Sequence, residues 1–164
     1  MIDYEIRRSQ RKCSVNERPF EPGEKYISAL METDEGYERL DFSEEQWEVP
    51  KSACIGWWTC QAPESTKGRV YWAPNDVLLA YFESLLAKPG LAKICFVMGI
   101  LLVRRKVLRM LPNEIEQNQS LMVLEAIDKS QTYRVLIEEP SPTEVKQIQQ
   151  ELAEQLFTDC PPEK

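Results

Sequence analysis

The chain of 164 residues reads as an α+β protein, with an N-terminal antiparallel β-region, a central buried helix, a C-terminal β-meander and a closing amphipathic helix. Three observations predict this. Short β-branched and aromatic runs separated by turn residues fill roughly the first sixty positions. A ten-residue apolar run, "ICFVMGILLV", occupies 94–103. After three further strand-like runs, a helix start signal opens at Ser141.

The elements follow in order. "IDYEIRRSQRKCSV" alternates in part, and "NERPFEPGE" supplies two prolines and a glycine for a turn. "KYISALMET" is a strand, and "DEG" at 34–36 turns it into "YERLDF". In that hairpin Tyr37, Arg39 and Asp41 share one face and Glu38, Leu40 and Phe42 the other. "SEEQW" at 43–47 carries a capping-box pattern and predicts one helical turn. "SACIGWWTCQ" reads as a strand and "APESTKG" as an exposed loop. Asn75 is an N-cap for "DVLLAYFESLLA", where Leu78, Tyr81, Phe82 and Leu85 fall at helical spacing.

The apolar run is too short for a bilayer, which needs about 20 such residues in a helix. Lys93 bounds it on one side and Arg104, Arg105 and Lys106 on the other. Apolar on every side, it predicts a helix enclosed by other elements on most faces. Cys95 and Met98 then serve as packing residues. "KVLRML", "LMVLEAI" and "TYRVLIEE" read as three strands, the third alternating Tyr133, Val135 and Ile137 against Thr132, Arg134, Leu136 and Glu138. Ser141, Pro142 and Glu144 open the last helix, with Val145, Ile148, Leu152 and Leu156 as its buried stripe. The expectation is a single domain over 1–164. A boundary in "QAPESTKGRVYWAPN" would divide it into a β-rich lobe, 1–62, and an α+β lobe, 74–164.

Composition narrows the chemistry. With 43% hydrophobic and 29% charged residues the chain suits a compact fold. A formal net charge of −7 disfavours long nucleic acid as a partner. There is no histidine, which excludes a His-based triad, a Cys–His dyad and every imidazole metal site. The opening "MIDYEIRRSQRK" has no apolar signal region, so the five cysteines are expected as reduced thiols in the cytoplasm. Phosphate-cradling, dinucleotide and nucleophile-elbow motifs are all missing, and nothing calls for a cofactor.

Three constellations remain. Cys54 and Cys60, with Cys13 added, could bind metal, but a C-x5-C spacing on one strand sets the two thiols about 20 Å apart. Ordinary thiols are the expectation. Trp57 and Trp58 point to opposite faces of a strand, so one is exposed unless both faces are packed; an exposed indole beside Trp72 would stack on a sugar, a base or a partner side chain. Arg104, Arg105 and Arg109 could hold an acidic segment, although basic residues at a helix C-terminus also complement its dipole without a ligand.

The block "CSVNERPFEPGEKYISAL", followed by "ERLDFSEEQW" and the Arg-rich end of the central helix, resembles an uncharacterised family of bacterial proteins. The likeness runs over most of the chain and implies a bacterial cytosolic protein. The leading expectation is a non-catalytic interaction or assembly module. Its partner is a protein, through an acidic segment or self-association, and its contacts are Trp57, Trp58, Trp72, Arg104, Arg105 and Arg109. The alternative is a small-ligand or metal-binding domain using Trp57, Trp58 and Trp72 or Cys13, Cys54 and Cys60.

Overall fold

The computed structural model describes residues 11–34, 36–48, 54–62 and 71–158. Among them, the α+β architecture is three helices with strands in three antiparallel sheets. The chain forms two compact units, one from Met1–Val77 with Gln149–Lys164 and one from Leu78–Ile148.

The first unit is built on β1 (Lys25–Thr33), β2 (Gly36–Ser43) and β3 (Cys54–Gln61), with β1 in the middle. The β1–β2 hairpin closes from Thr33 to Gly36, whose φ of 138° suits glycine. Ser28 faces Asp41 on β2 and Trp58 on β3, while Ala29 faces Leu40 and Trp57. One face of the sheet therefore carries Tyr26, Ser28 and Leu30, all fully buried. Phe20 stacks on Tyr26 at 4.5 Å between centroids. A Cβ at Gly56 would lie 2.9 Å from a methyl of Val77, so glycine there admits a stiff β-branched neighbour. A second sheet pairs β4 (Tyr71–Trp72) with β8 (Phe157–Thr158), at the far end of the chain.

The second unit places α1 from Leu78 onward (the helix spans Asn75–Leu86) and α2 (Ala92–Arg104) with the meander β5 (Leu108–Glu116), β6 (Gln119–Ala126) and β7 (Thr132–Leu136). Leu78, Tyr81, Phe82 and Leu85 are buried, as their spacing predicts. Phe82 meets Tyr133 edge-on at 5.5 Å, and a Cβ on Gly99 would lie 2.9 Å from both Leu124 and Met122. Glycine thus lets α2 approach β6 closely. Tyr133 and Val135 are buried, and the Tyr133 hydroxyl donates to Glu83 at 2.5 Å. The helix α3 (Pro142–Leu156) starts with the capping box read from sequence: the Ser141 amide donates to Glu144 at 3.1 Å and the Glu144 amide to the Ser141 hydroxyl at 3.3 Å. Lys93 bonds the same carboxylate at 2.9 Å.

Several expectations change. Within "IDYEIRRSQRKCSV", 2–10 lie outside the described residues, and 11–15 hold a turn and a single Lys12–Pro19 bridge rather than a strand. The 43–47 segment forms a turn closed by the Gln46 amide on the Ser43 carbonyl, because β2 runs through Ser43 and uses it for pairing. The apolar helix is fully buried along one stripe, Ile94, Cys95, Met98, Gly99 and Leu102. Phe96, Val97, Ile100, Leu101 and Val103 are half-buried, since one sheet covers one side of a helix. No helix among the described residues is long and apolar enough to cross a membrane.

"RRK" proves to be a helix stop. Lys106 has φ 60°, its amide donates to Val103, and the Val107 amide donates to Leu102. This is a Schellman ending with lysine where glycine is usual. A left-handed L-residue costs roughly 1–2 kcal/mol. Lys106→Gly is therefore expected to stabilise the second unit by about 1 kcal/mol, read as a higher urea midpoint by far-ultraviolet circular dichroism. An unchanged or lower midpoint would show that the lysine side chain contributes more than its backbone conformation costs.

Candidate interaction surface

The two faces of the β2-β1-β3 sheet have opposite characters. The buried face is polar at its centre. Arg39 and Asp41, each with a side chain only 6% exposed, approach within 3.6 Å. The Ser28 hydroxyl donates to Asp41 at 2.5 Å and accepts from Arg39 at 3.0 Å. Arg39 also donates to the Phe157 carbonyl, and its guanidinium lies 5.2 Å from the Trp58 ring centre. Cys60 stands between Ser28, at 3.6 Å, and Thr158, at 2.7 Å. The Asp41 backbone is clamped by Ser14, which donates its amide to one group and accepts at its hydroxyl from the other, at 2.8 and 3.2 Å. The ion pair and the hydroxyls tie β1 to β2 and to Phe157, while among the described residues the Arg39 Nε and the Trp58 indole N–H have no hydrogen-bond acceptor.

The other face is aromatic and partly open. Trp47, just after β2, lies 5.3 Å from Phe42 on β2 and 5.6 Å from Trp57 on β3. Phe42 and Trp57 belong to strands two spacings apart, about 10 Å. The Trp47 ring thus bridges Phe42 and Trp57 on the face that also carries Ile27 and Ala29, both buried. Trp57, at the far end of this row, is 45% exposed, whereas Trp58 is 3% exposed. Offset and tilted ring pairs contribute about 0.5–1.5 kcal/mol each beyond burial, so the exposed indole is held by its neighbours.

Trp57 and Trp58 thus divide between the faces as alternation requires. The expected neighbour of Trp57 is replaced: Trp72 is in β4, half-buried, and packs edge-on against Phe157 at 4.5 Å. Trp47 takes its place, because the turn after Ser43 folds back over the sheet. Arg104 is exposed at the end of α2, Arg105 is half-buried at its C-cap, and Arg109 on β5 spends its guanidinium on Glu125 at 2.7 and 2.9 Å. These arginines belong to the second unit and the tryptophans to the first.

The thiols have separate partners. Cys13 is fully buried and accepts from the Ser43 amide at 3.5 Å. Burial pushes its pKa up, but the amides of Ser43, Val15 and Asn16 outweigh this and leave it below the ordinary thiol value. An extra residue on β3 puts Cys54 in register with Met31, of opposite parity to Tyr26, the partner of Cys60. Burial raises the Cys54 pKa and pushes that of Cys95 to about 11. The four described cysteines are free, and no group of described carboxylates and thiols could hold a metal ion. All five cysteines of the chain are expected to titrate as thiols in denaturant without reductant, while native Cys95 resists Ellman's reagent at pH 8. Co-purifying zinc or a protected pair would contradict this.

Against known proteins, the chain matches no family model, no curated protein and no solved structure.

Proposed function

We propose that this protein is a non-catalytic protein-interaction module, and that its contact surface is the aromatic face of the β2-β1-β3 sheet with Trp57 as anchor. One observation carries the reading: a large indole, 45% exposed, is held by Trp47 on a sheet whose opposite face is locked by a buried polar network. Tryptophan is enriched among the residues that anchor protein interfaces. The reactive side chains gathered in this unit, Arg39, Asp41 and Cys60, are buried and engaged with one another's neighbours, which suits support rather than turnover. Free thiols among the described cysteines suit a cytoplasmic home.

The test is mutational. Trp57→Ser should weaken a partner identified by crosslinking, then reconstituted from purified components, by about thirtyfold, the scale of an anchor residue. The variant should remain folded, its melting temperature falling by only a few degrees for the lost Trp47–Trp57 ring contact. Ile115→Ser, which alters a 79% exposed side chain of the second unit, should leave binding intact. Binding that survives Trp57→Ser but fails with Ile115→Ser would move the contact surface to β5.

A further inference from the structure

The aromatic face has a definite charge. Glu38 shares the outward parity of Leu40 and Phe42 on β2, and it is exposed. The turn that carries Trp47 across the sheet brings Glu44, Glu45 and Glu48, all exposed as well. The cation of matching parity on β1 is Lys25, at the end of the strand opposite Gln61. Glu38 on β2 and Glu44, Glu45 and Glu48 around Trp47, whose ring lies 5.6 Å from that of Trp57, are thus exposed on a chain of net charge −7, while Arg18, the cation that interacts with Glu45, is bonded to Glu24.

We infer that the occupant of this face is a basic segment of another protein, with an arginine or lysine laid on the Trp57 ring. The inference rests on the interaction reading above and narrows it to one partner chemistry. An indole face attracts a cation through its quadrupole, and nearby carboxylates add attraction without sitting in the ring's place. The pair is already used on the buried face of the same sheet, where the Arg39 guanidinium lies 5.2 Å from the Trp58 ring centre. An acidic segment docking here would meet the four glutamates and be repelled, and so would a nucleic-acid backbone. The acidic-partner expectation drew on Arg104, Arg105 and Arg109, of which Arg109 is committed to Glu125. Long-range attraction from the whole chain would also hasten encounter with a basic segment.

The experiment uses the full chain as bait for a phage-displayed library of random dodecapeptides, with enriched sequences synthesised and measured by fluorescence anisotropy. Basic peptides carrying at least one arginine or lysine should be enriched. Trp57→Ser should weaken them by about tenfold or more. Glu44→Gln/Glu45→Gln/Glu48→Gln should weaken them by about tenfold at low salt and by less at high salt. Glu116→Gln/Glu138→Gln/Glu139→Gln, which removes equal charge from the other unit, should leave them unchanged. Enriched peptides that are neutral or acidic yet still need Trp57 would overturn the basic-partner inference and leave the docking face standing. Peptides indifferent to Trp57→Ser, or no enrichment at all, would overturn both. Equal losses in the two triple variants would reduce the effect to net charge and overturn the inference.

Discussion

Asp41→Ala is expected to destabilise the first unit by about 3–5 kcal/mol, the usual cost of leaving one member of a buried ion pair without the other. Arg39 would remain enclosed at 6% side-chain exposure, facing Ser28, the Phe157 carbonyl and Trp58, with no carboxylate among its described partners. All four tryptophans, Trp47, Trp57, Trp58 and Trp72, lie in the first unit, so indole emission during urea unfolding reports on that unit selectively. The double variant Arg39→Met/Asp41→Leu should lose less than the single one, because it removes both charges and keeps the volume. A single variant as stable as wild type would mean that the pair merely tolerates burial. A double variant as damaged as the single would place the stabilisation in shape rather than charge.

Ending the chain at Ile148 should have the larger effect and abolish cooperative unfolding of the first unit. The lost segment contributes Leu152, Ala153 and Leu156, all buried, to its core. It also supplies the Phe157 carbonyl for Arg39, the Thr158 hydroxyl beside Cys60, the Leu156 carbonyl for the Ala73 amide and the whole of β8 for β4. Three buried apolar side chains alone contribute several kcal/mol at roughly 25 cal/mol per Å², comparable with the total stability of a small domain. Indole emission in the truncated chain should match that of the urea-unfolded protein. A retained native spectrum would show that 149–158 only decorates the unit.

Elements that depend on neighbours in sequence were legible. "KYISALMET" coincides with β1, and the Ser141–Glu144 capping box forms as its spacing demands, because both features are settled within a few residues. The meander was legible too, but β5 was cut short at Leu111. Pro112 and Asn113 sit where the β5–β6 register shifts, so the strand continues to Glu116 past a residue that normally stops one. The hairpin after it uses Gln117 and Asn118 at φ 50° and 63°, a two-residue turn in the left-handed region without its usual glycine.

The candidate surface was half legible. Alternation separated Trp57 from Trp58, but it could not say which face would be covered. Alternation placed Arg39 and Asp41 on one face without saying that it would be buried, and their partners Ser28, Trp58 and the distant Phe157 carbonyl come from elsewhere in the chain. Trp47 belongs to the same aromatic group in the sequence, but Trp72 was the expected neighbour of the exposed indole, because the Trp47–Trp57 contact depends on how the chain turns after Ser43. The strand pairs β4–β8 have two residues each, too few to show any period.

The discontinuity of the first unit sets an order of events during synthesis. Residues 78–148 form a unit of consecutive chain, whereas Arg39 must wait for Phe157, 118 positions later. Ribosomes add about 5–20 residues per second, so the stretch 78–148 alone takes roughly 4–14 s. During that interval β1, β2 and β3 exist without the segment that closes over Arg39 and Cys60, and their apolar residues and strand edges stay available to other nascent chains. The first unit to be translated is therefore the last to mature, and its yield in a cell should depend on holding chaperones more than its final stability would suggest.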